Sequence, residues 1–238
     1  MRQDFEQIIR RIQHIRNRME EYILDKGGTV EGYDDTLLGY ANAICSIPDF
    51  SQIRNGCETF AGNTDLEYIP EILGSGYFTS MYKFAKDCTS LRRVGQLYTN
   101  QVTTFVYAFY GCTSLVEIEG IDTSNATTLG ECFHYCSSLV RINSPLNVSK
   151  VTSQMDSTFT GCSNLVVMEF IGPLKADIWL SGAPNLSLQS LLSVINSLAD
   201  LNQEAIPTTK KITFGARNKA KLSAAQLALA TDKGWTVV

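Results

Sequence analysis

Cys132-Phe-His134-Tyr-Cys136 sets two thiols and an imidazole within five residues, the types that bind zinc or carry nucleophilic catalysis. A zinc site takes four convergent ligands, and this run offers three. A Cys/His nucleophile pair needs a third group to orient its base and donors to hold an oxyanion, and the sequence supplies neither beside it. The only other histidine, His14, stands among arginines, glutamines and glutamates at a position facing solvent. No glycine-rich phosphate loop, G-x-S-x-G elbow or H-E-x-x-H pair is present. The acid pair Asp34-Asp35 falls at a predicted helix start, where capping accounts for it. The expectation is a chain that is not an enzyme, with no catalytic residue, no metal and no cofactor.

Cys136 belongs to a different pattern. Cys88, Cys112, Cys136 and Cys162 recur at intervals of 24, 24 and 26 residues, within TSMYKFAKDCTSLRRV, TFVYAFYGCTSLVEI, LGECFHYCSSLVRI and QMDSTFTGCSNLVVM. Aligned on cysteine, four columns are apolar. Seven residues before stand Met81, Phe105, Leu129 and Met155, and three before stand Ala85, Phe109, Phe133 and Phe159. Three after come Leu91, Leu115, Leu139 and Leu165, and three further on Val94, Ile118, Ile142 and Met168. Degenerate copies at 59–72 (Phe60, Asn63, Leu66, Ile69) and 179–187 (Ala183, Leu186) extend the series. A period of this length predicts stacked repeats, none of which buries its apolar face alone, with atypical copies at the ends. The repeat core is therefore Cys88, Leu91, Phe109, Cys112, Leu115, Phe133, Cys136, Leu139, Phe159, Cys162 and Leu165. The chain has seven cysteines, an odd number; the column thiols read as reduced, buried hydrophobes. Phe84 stands one residue off the phenylalanine column, which predicts a distorted coil near 81–88, while Cys45, Cys57 and Cys132 lie outside the cysteine column.

Flanking elements are needed to hold such an array. Phe5, Ile8, Ile12, Ile15, Met19 and Tyr22 follow a strict heptad over 3–24, and isoleucine at both core positions favours a trimer or tetramer. A single amphipathic helix folded onto its own chain is the other reading of the same spacing. Gly27-Gly28 ends that helix, and a second short helix is predicted at 35–45. Downstream, 186–201 reads as a helix capped by Ser187, with Leu188, Leu191, Leu192, Ile195 and Leu198 on one face. KKITFG (210–215) and the closing KGWTVV read as strands, and Ser223 with Gln226 as a capping box between them, flanked by a Leu222/Leu227 staple. The predicted fold class is α/β: a leucine-rich-repeat-type solenoid with an N-terminal helical coiled-coil stalk and a small α/β C-terminal cap. The divisions are 1–26 (stalk), 27–48 (linker), 49–186 (repeats) and 187–238 (cap).

Residues between the apolar columns are free to bind. Two before cysteine the column reads Lys86, Tyr110, His134, Thr160, and neighbouring columns add Tyr107 and Tyr135. Tyr107, Tyr110, His134 and Tyr135 are thus candidate ligand-binding residues, since aromatic side chains are enriched at recognition sites; rings that merely cover gaps between repeats are the other reading. On the opposite wall, Tyr68, Arg93, Glu117, Arg141 and Val167 align, and Arg93–Glu117–Arg141 reads as a charge ladder that fixes register. A net charge of −4 at pH 7 gives no basic face for nucleic acid. No run of 18 apolar residues predicts membrane insertion, and the charged start MRQDFEQIIRRIQHIRNRMEEY does not read as a secretory signal.

The F-x-x-C-x-S-L-x-x-I pattern, closest in GIDTSNATTLGECFHYCSSL (120–139), resembles the BspA-like leucine-rich repeats of bacterial surface and phage proteins. The segment from NLSLQSLL onward is similar to the terminal module that follows such repeats. IRNRMEEYILDKGGTVEGYDDTLLGYANAICSIP (15–48) resembles N-terminal segments of phage tail or head-fibre proteins. The resemblance implies a non-catalytic adhesion or recognition role and names no ligand. The expectation is an oligomeric phage or prophage virion fibre or decoration protein, self-associating as a trimer within a larger assembly and presenting its surface to a host protein or glycan. A bacterial cell-surface adhesin and an intracellular protein-binding scaffold are the alternatives. The corresponding locations are the virion or the bacterial surface.

Overall fold

The structure, a computed structural model, describes residues 57–69, 78–153, 155, 157–203 and 209–238. The heptad residues Phe5 to Tyr22, the helix expected at 35–45 and Cys45 lie outside the described residues.

Backbone N–H groups of each repeat divide between two destinations. In the second repeat, Met81, Lys83, Ala85 and Asp87 donate across to the carbonyls of Thr104, Val106, Ala108 and Tyr110 at 2.7–3.0 Å. The alternate residues Phe84, Lys86 and Cys88 donate locally, to the carbonyls of Met81, Lys83 and Ala85 three positions back. The next repeat does the same 24 residues on, with Phe105, Tyr107, Phe109 and Gly111 bonding Thr128, Gly130, Cys132 and His134. Buried backbone polar groups need partners, and this division supplies them without helix or strand. The Phe-x-x-Cys spacing is one such local turn, the cysteine N–H closing on the carbonyl three residues earlier.

Phe84 does not distort its coil, contrary to expectation. Its turn keeps the same bonds, and its ring meets Phe60 (centroids 5.1 Å apart) and Phe109 (6.1 Å) edge-on. A large residue at 84 beside small Ala85 replaces small Ala108 beside large Phe109, all four fully buried. Exchanging large for small at adjacent positions conserves volume, which cores tolerate. Cys132 occupies that same column, which explains a buried thiol outside the cysteine series.

Beyond each turn wall the chain enters short parallel strands: β1 (Tyr68–Ile69), β2 (Arg93–Leu97), β3 (Glu117–Ile121) and β4 (Arg141–Ile142) form one sheet in sequence order. Tyr68 faces Arg93, Arg93 faces Glu117 and Glu117 faces Arg141, with a lone bridge from Arg141 to Val167. Arg93 pairs with Glu117 (3.7 Å) and Glu119, while Glu117 accepts from Asn143 Nδ2 at 2.7 Å and makes no ion pair with Arg141. The side chains of the four apolar columns are buried throughout.

The expected solenoid, with a coiled-coil stalk and a separate cap, is corrected by these elements. Among the described residues the chain forms a mixed fold with three short helices and three separate parallel sheets. The second sheet pairs β5 (Leu146–Asn147) with β6 (Phe170–Ile171), and the third orders β7 (Ile178–Trp179), β8 (Lys210–Thr213) and β9 (Trp235–Val237). One cause is Pro145, which has no N–H to donate. Where β3 would continue its pairing, Ser144 Oγ instead accepts from Ile121 N–H (2.9 Å) and donates to Ile121 C=O (3.1 Å). The other is β7, which opens the last degenerate repeat yet pairs Ile178 with Ile212 of the C-terminal segment. The longest described helix has ten residues, and the stretch at 1–26 where the stalk was expected lies outside the described residues.

That helix, α1 (Leu188–Ser197), is capped by Ser187, whose side chain accepts from Ser190 N–H. It covers the strand edge with serines. Ser190 Oγ accepts from Met168 N–H (3.1 Å) and donates to Val166 C=O (3.1 Å). Ser193 Oγ accepts from Phe170 N–H and Ser197 Oγ donates to Phe170 C=O. An open strand edge invites further pairing, and this hydroxyl row occupies it. Burial follows: Ser190, Leu191, Val194 and Ile195 face inward, while Leu188, expected inside, is exposed and Leu192 only partly covered. Replacing Ser190 by alanine strands the buried Met168 N–H, an expected loss of about 1–3 kcal/mol in chemical denaturation; an unchanged midpoint would remove the hydroxyl row from the account.

Two short helices, α2 (Ala216–Lys219) and α3 (Ala224–Thr231), complete the C-terminal part, α3 opening with the Ser223/Gln226 capping box. Lys233 Nζ closes the end of α1, reaching the carbonyls of Ile195, Asn196 and Leu198 at 2.9–3.0 Å. Burial pulls its ammonium below the usual lysine range.

Candidate recognition site on the turn wall

The cysteines come first, because their spacing suggested chemistry. Each column thiol donates to a carbonyl of the preceding repeat: Cys88 to Phe60, Cys112 to Ala85, Cys136 to Phe109 and Cys162 to Phe133, with Sγ···O of 2.9–3.0 Å. From Cys112 onward, the carbonyl reached is the one that already closes a Phe-x-x-Cys turn or its Ala85 equivalent, and for Cys88 it closes the Phe60-x-x-Asn63 turn. The thiol therefore bolts one repeat to the next. Burial pushes Cys112, Cys132 and Cys136 well above the ordinary thiol range and Cys162 up to about 12, with neighbouring column thiols adding to the shift at the first three. All six described cysteines are free thiols. Thiols held protonated in the core are poor nucleophiles and poor ligands. The Cys132–His134–Cys136 run does not converge, since both thiols lie in the core while the imidazole packs among surface rings.

On the outer side of the same turns the four candidate residues come together. Tyr107 and Tyr110 have centroids 5.6 Å apart, Tyr110 and Tyr135 5.9 Å, Tyr110 and His134 5.2 Å, and His134 and Tyr135 4.3 Å. Tyr82, which the column alignment missed, extends the cluster to a third repeat at 6.1 Å from Tyr107. Lys83 Nζ lies 4.9 Å from the Tyr82 ring and Lys86 Nζ 5.0 Å from the Tyr110 ring. Lys83 also pairs with Glu58 at 3.1 Å, and Lys86 with Asp87. The Glu58 contact raises the Lys83 ammonium above its usual value.

Glu131 serves two of the rings. Tyr107 Oη donates to Glu131 Oε1 at 3.2 Å, which holds the phenol above its ordinary range. His134 Nδ1 lies 3.2 Å from the other oxygen, off the line a hydrogen bond needs. The rings are thus tied to one another and to charged neighbours, leaving them ordered before any partner arrives.

The backbone under this face is strained. Lys83, Tyr107 and Glu131 have φ of 54°, 58° and 53°, and Asp87 and Tyr135 both have φ of 60°. An L-residue in the left-handed region costs about 1–2 kcal/mol, and for a bulky side chain it is an outlier. At Lys83, Tyr107, Asp87 and Tyr135 the strained residue donates its N–H to the neighbouring repeat, so the bonds between repeats help to hold it. At the position before the cysteine column, glycine stands in four repeats, with positive φ at Gly62, Gly111 and Gly161 but not at Gly182. Tyr135 fills that glycine position with a ring 52% exposed. A Cβ built on Gly161 would lie 2.7 Å from Tyr135 Cδ1, so the neighbouring repeat makes room for the ring. This signal was readable in the alignment as a glycine column broken by Asp87 and Tyr135, of which only the second is aromatic.

Comparison with known proteins adds no relative: no family model, curated protein or solved structure matches the chain.

Proposed function

We propose that this chain is a non-enzymatic attachment protein whose recognition surface is the aromatic turn wall around Tyr107, Tyr110, His134 and Tyr135, with Tyr82 at its border. The observation that carries the reading is Tyr135, an exposed aromatic at a backbone position that favours glycine. Left-handed backbone strain retained beneath a half-exposed aromatic, beyond what its contacts with Tyr110 and His134 return, points to use. The setting we favour is an oligomeric virion fibre or decoration protein of a phage or prophage, self-associating through Phe5, Ile8, Ile12, Ile15, Met19 and Tyr22. That setting rests on the resemblance of residues 15–48 to fibre segments. Replacing Tyr107, Tyr110 and Tyr135 together by serine should abolish attachment to host cells while the unfolding midpoint stays within about 2 kcal/mol of the parent. Attachment at parental strength by the folded variant overturns the proposal.

A further inference from the structure

We infer that the ligand of this face is a neutral saccharide, an inference that rests on the aromatic wall being the recognition surface. Charge is the first argument. The two lysines of the wall are each paired with a carboxylate, Lys83 with Glu58 and Lys86 with Asp87, while the third carboxylate, Glu131, accepts from Tyr107. No surplus positive charge is left to hold a nucleic acid or an acidic polymer. A cationic ligand meets rings already faced by Lys83 and Lys86. A purely apolar partner would meet the hydroxyl of every tyrosine.

The second argument is the pair of hydroxyl ladders that flank the aromatic turns in the chain. Before the turns, Thr103 Oγ1 donates to Thr79 C=O (3.1 Å) and Thr127 Oγ1 to Thr103 C=O (3.0 Å). After them, Ser137 Oγ donates to Thr113 C=O and Ser163 Oγ to Ser137 C=O, both at 3.3 Å. Each hydroxyl proton is committed to the neighbouring repeat, so the oxygens remain as acceptors with fixed orientation. Thr103, Thr127 and Ser163 are exposed. Rows of fixed acceptors a few residues before and after amphipathic rings suit a ligand rich in hydroxyl donors with apolar C–H faces between them, and a sugar chain has both. Ring stacking and preset acceptors lower the ordering cost of binding.

The test uses the full chain on an array of neutral, sialylated and sulfated oligosaccharides, together with attachment to host cells before and after periodate oxidation of their surface glycans. The neutral members should be retained, Tyr135→Gly should weaken them about tenfold or more, and periodate should abolish attachment. Loss of binding to free neutral oligosaccharides alone, with periodate still abolishing attachment, would assign the saccharide to a larger surface polymer and keep the inference. Retention confined to acidic glycans overturns it, as does Tyr135-dependent attachment that survives periodate; in that last case the partner is a protein and the recognition surface stands. Attachment indifferent to Tyr135 removes the surface and the saccharide together.

Discussion

Raising the pH above about 9 is expected to strip this protein of stability with a slope that climbs toward about 5.5 kcal/mol per pH unit, about 1.4 kcal/mol for each of four buried thiols. In an unfolded chain a thiol ionises near 8.5. In the fold Cys162 holds its proton to about 12, and Cys112, Cys132 and Cys136 are raised well above the ordinary range by burial. Between those limits the unfolded state binds fewer protons than the native one, so stability falls as pH rises; below about 8.5 the contribution is fully present. The geometry gives the cause. Each column Sγ donates its proton to a carbonyl about 3.0 Å away, and a thiolate there would face an oxygen lone pair with no water to replace the bond. Typical domain stabilities of about 5–15 kcal/mol would be exhausted within a few pH units. Denaturant midpoints measured from pH 8 to 10.5 check this. Lysines and tyrosines titrate in the same range, so the informative quantity is the slope, which Cys112→Ala and Cys136→Ala should each soften by about 1.4 kcal/mol per unit. A slope unmoved by either substitution would contradict the thiol account.

Phe133→Ala is expected to cost about 3–5 kcal/mol. Phe133 lies between Phe109, with centroids 5.8 Å apart and planes 1° from parallel, and Phe159, at 5.7 Å and 15°. All three rings are fully buried. Truncation opens a cavity between two repeats whose spacing is fixed by backbone bonds on every second residue, from Phe109 N–H to Cys132 C=O and from Phe133 N–H to Thr158 C=O. The walls therefore have little freedom to collapse, which places the loss toward the upper end. Phe133→Leu, filling much of the volume, should recover a large part of it. A loss below about 1 kcal/mol in equilibrium denaturation would mean that the repeats do close the gap.

The inward columns were legible because burial imposes one residue type at a fixed spacing, and the pairing of Tyr68, Arg93, Glu117, Arg141 and Val167 followed from that spacing alone. Ser187 as a cap and the Ser223/Gln226 box were legible because capping is local chemistry. The larger architecture was not. A single proline at 145 ends a sheet that the periodicity would have continued, and Ile178 pairs with a segment 34 residues downstream that carries no repeat signature. In α1 the apolar stripe misled, since strand-edge polar groups drew serines inward and left Leu188 outside. The four candidate rings were found from their columns, yet Tyr82 was missed because residues 106 and 130 of its column are Val106 and Gly130. The left-handed backbone beneath the rings is announced by no residue type except the interrupted glycine column.

The central claim is that the chain keeps an aromatic face at some cost to its own stability. Tyr135→Gly tests it most directly. Glycine relieves about 1–2 kcal/mol of left-handed strain, while the lost contacts with Tyr110 and His134 cost about 0.5–1.5 kcal/mol. Equilibrium denaturation should therefore show a change between a loss of about 0.5 kcal/mol and a gain of about 1.5 kcal/mol, and attachment to host cells by the same preparation should fall sharply. A variant that attaches as the parent does, or that loses more than about 1 kcal/mol of stability, would make Tyr135 a packing residue and contradict the account.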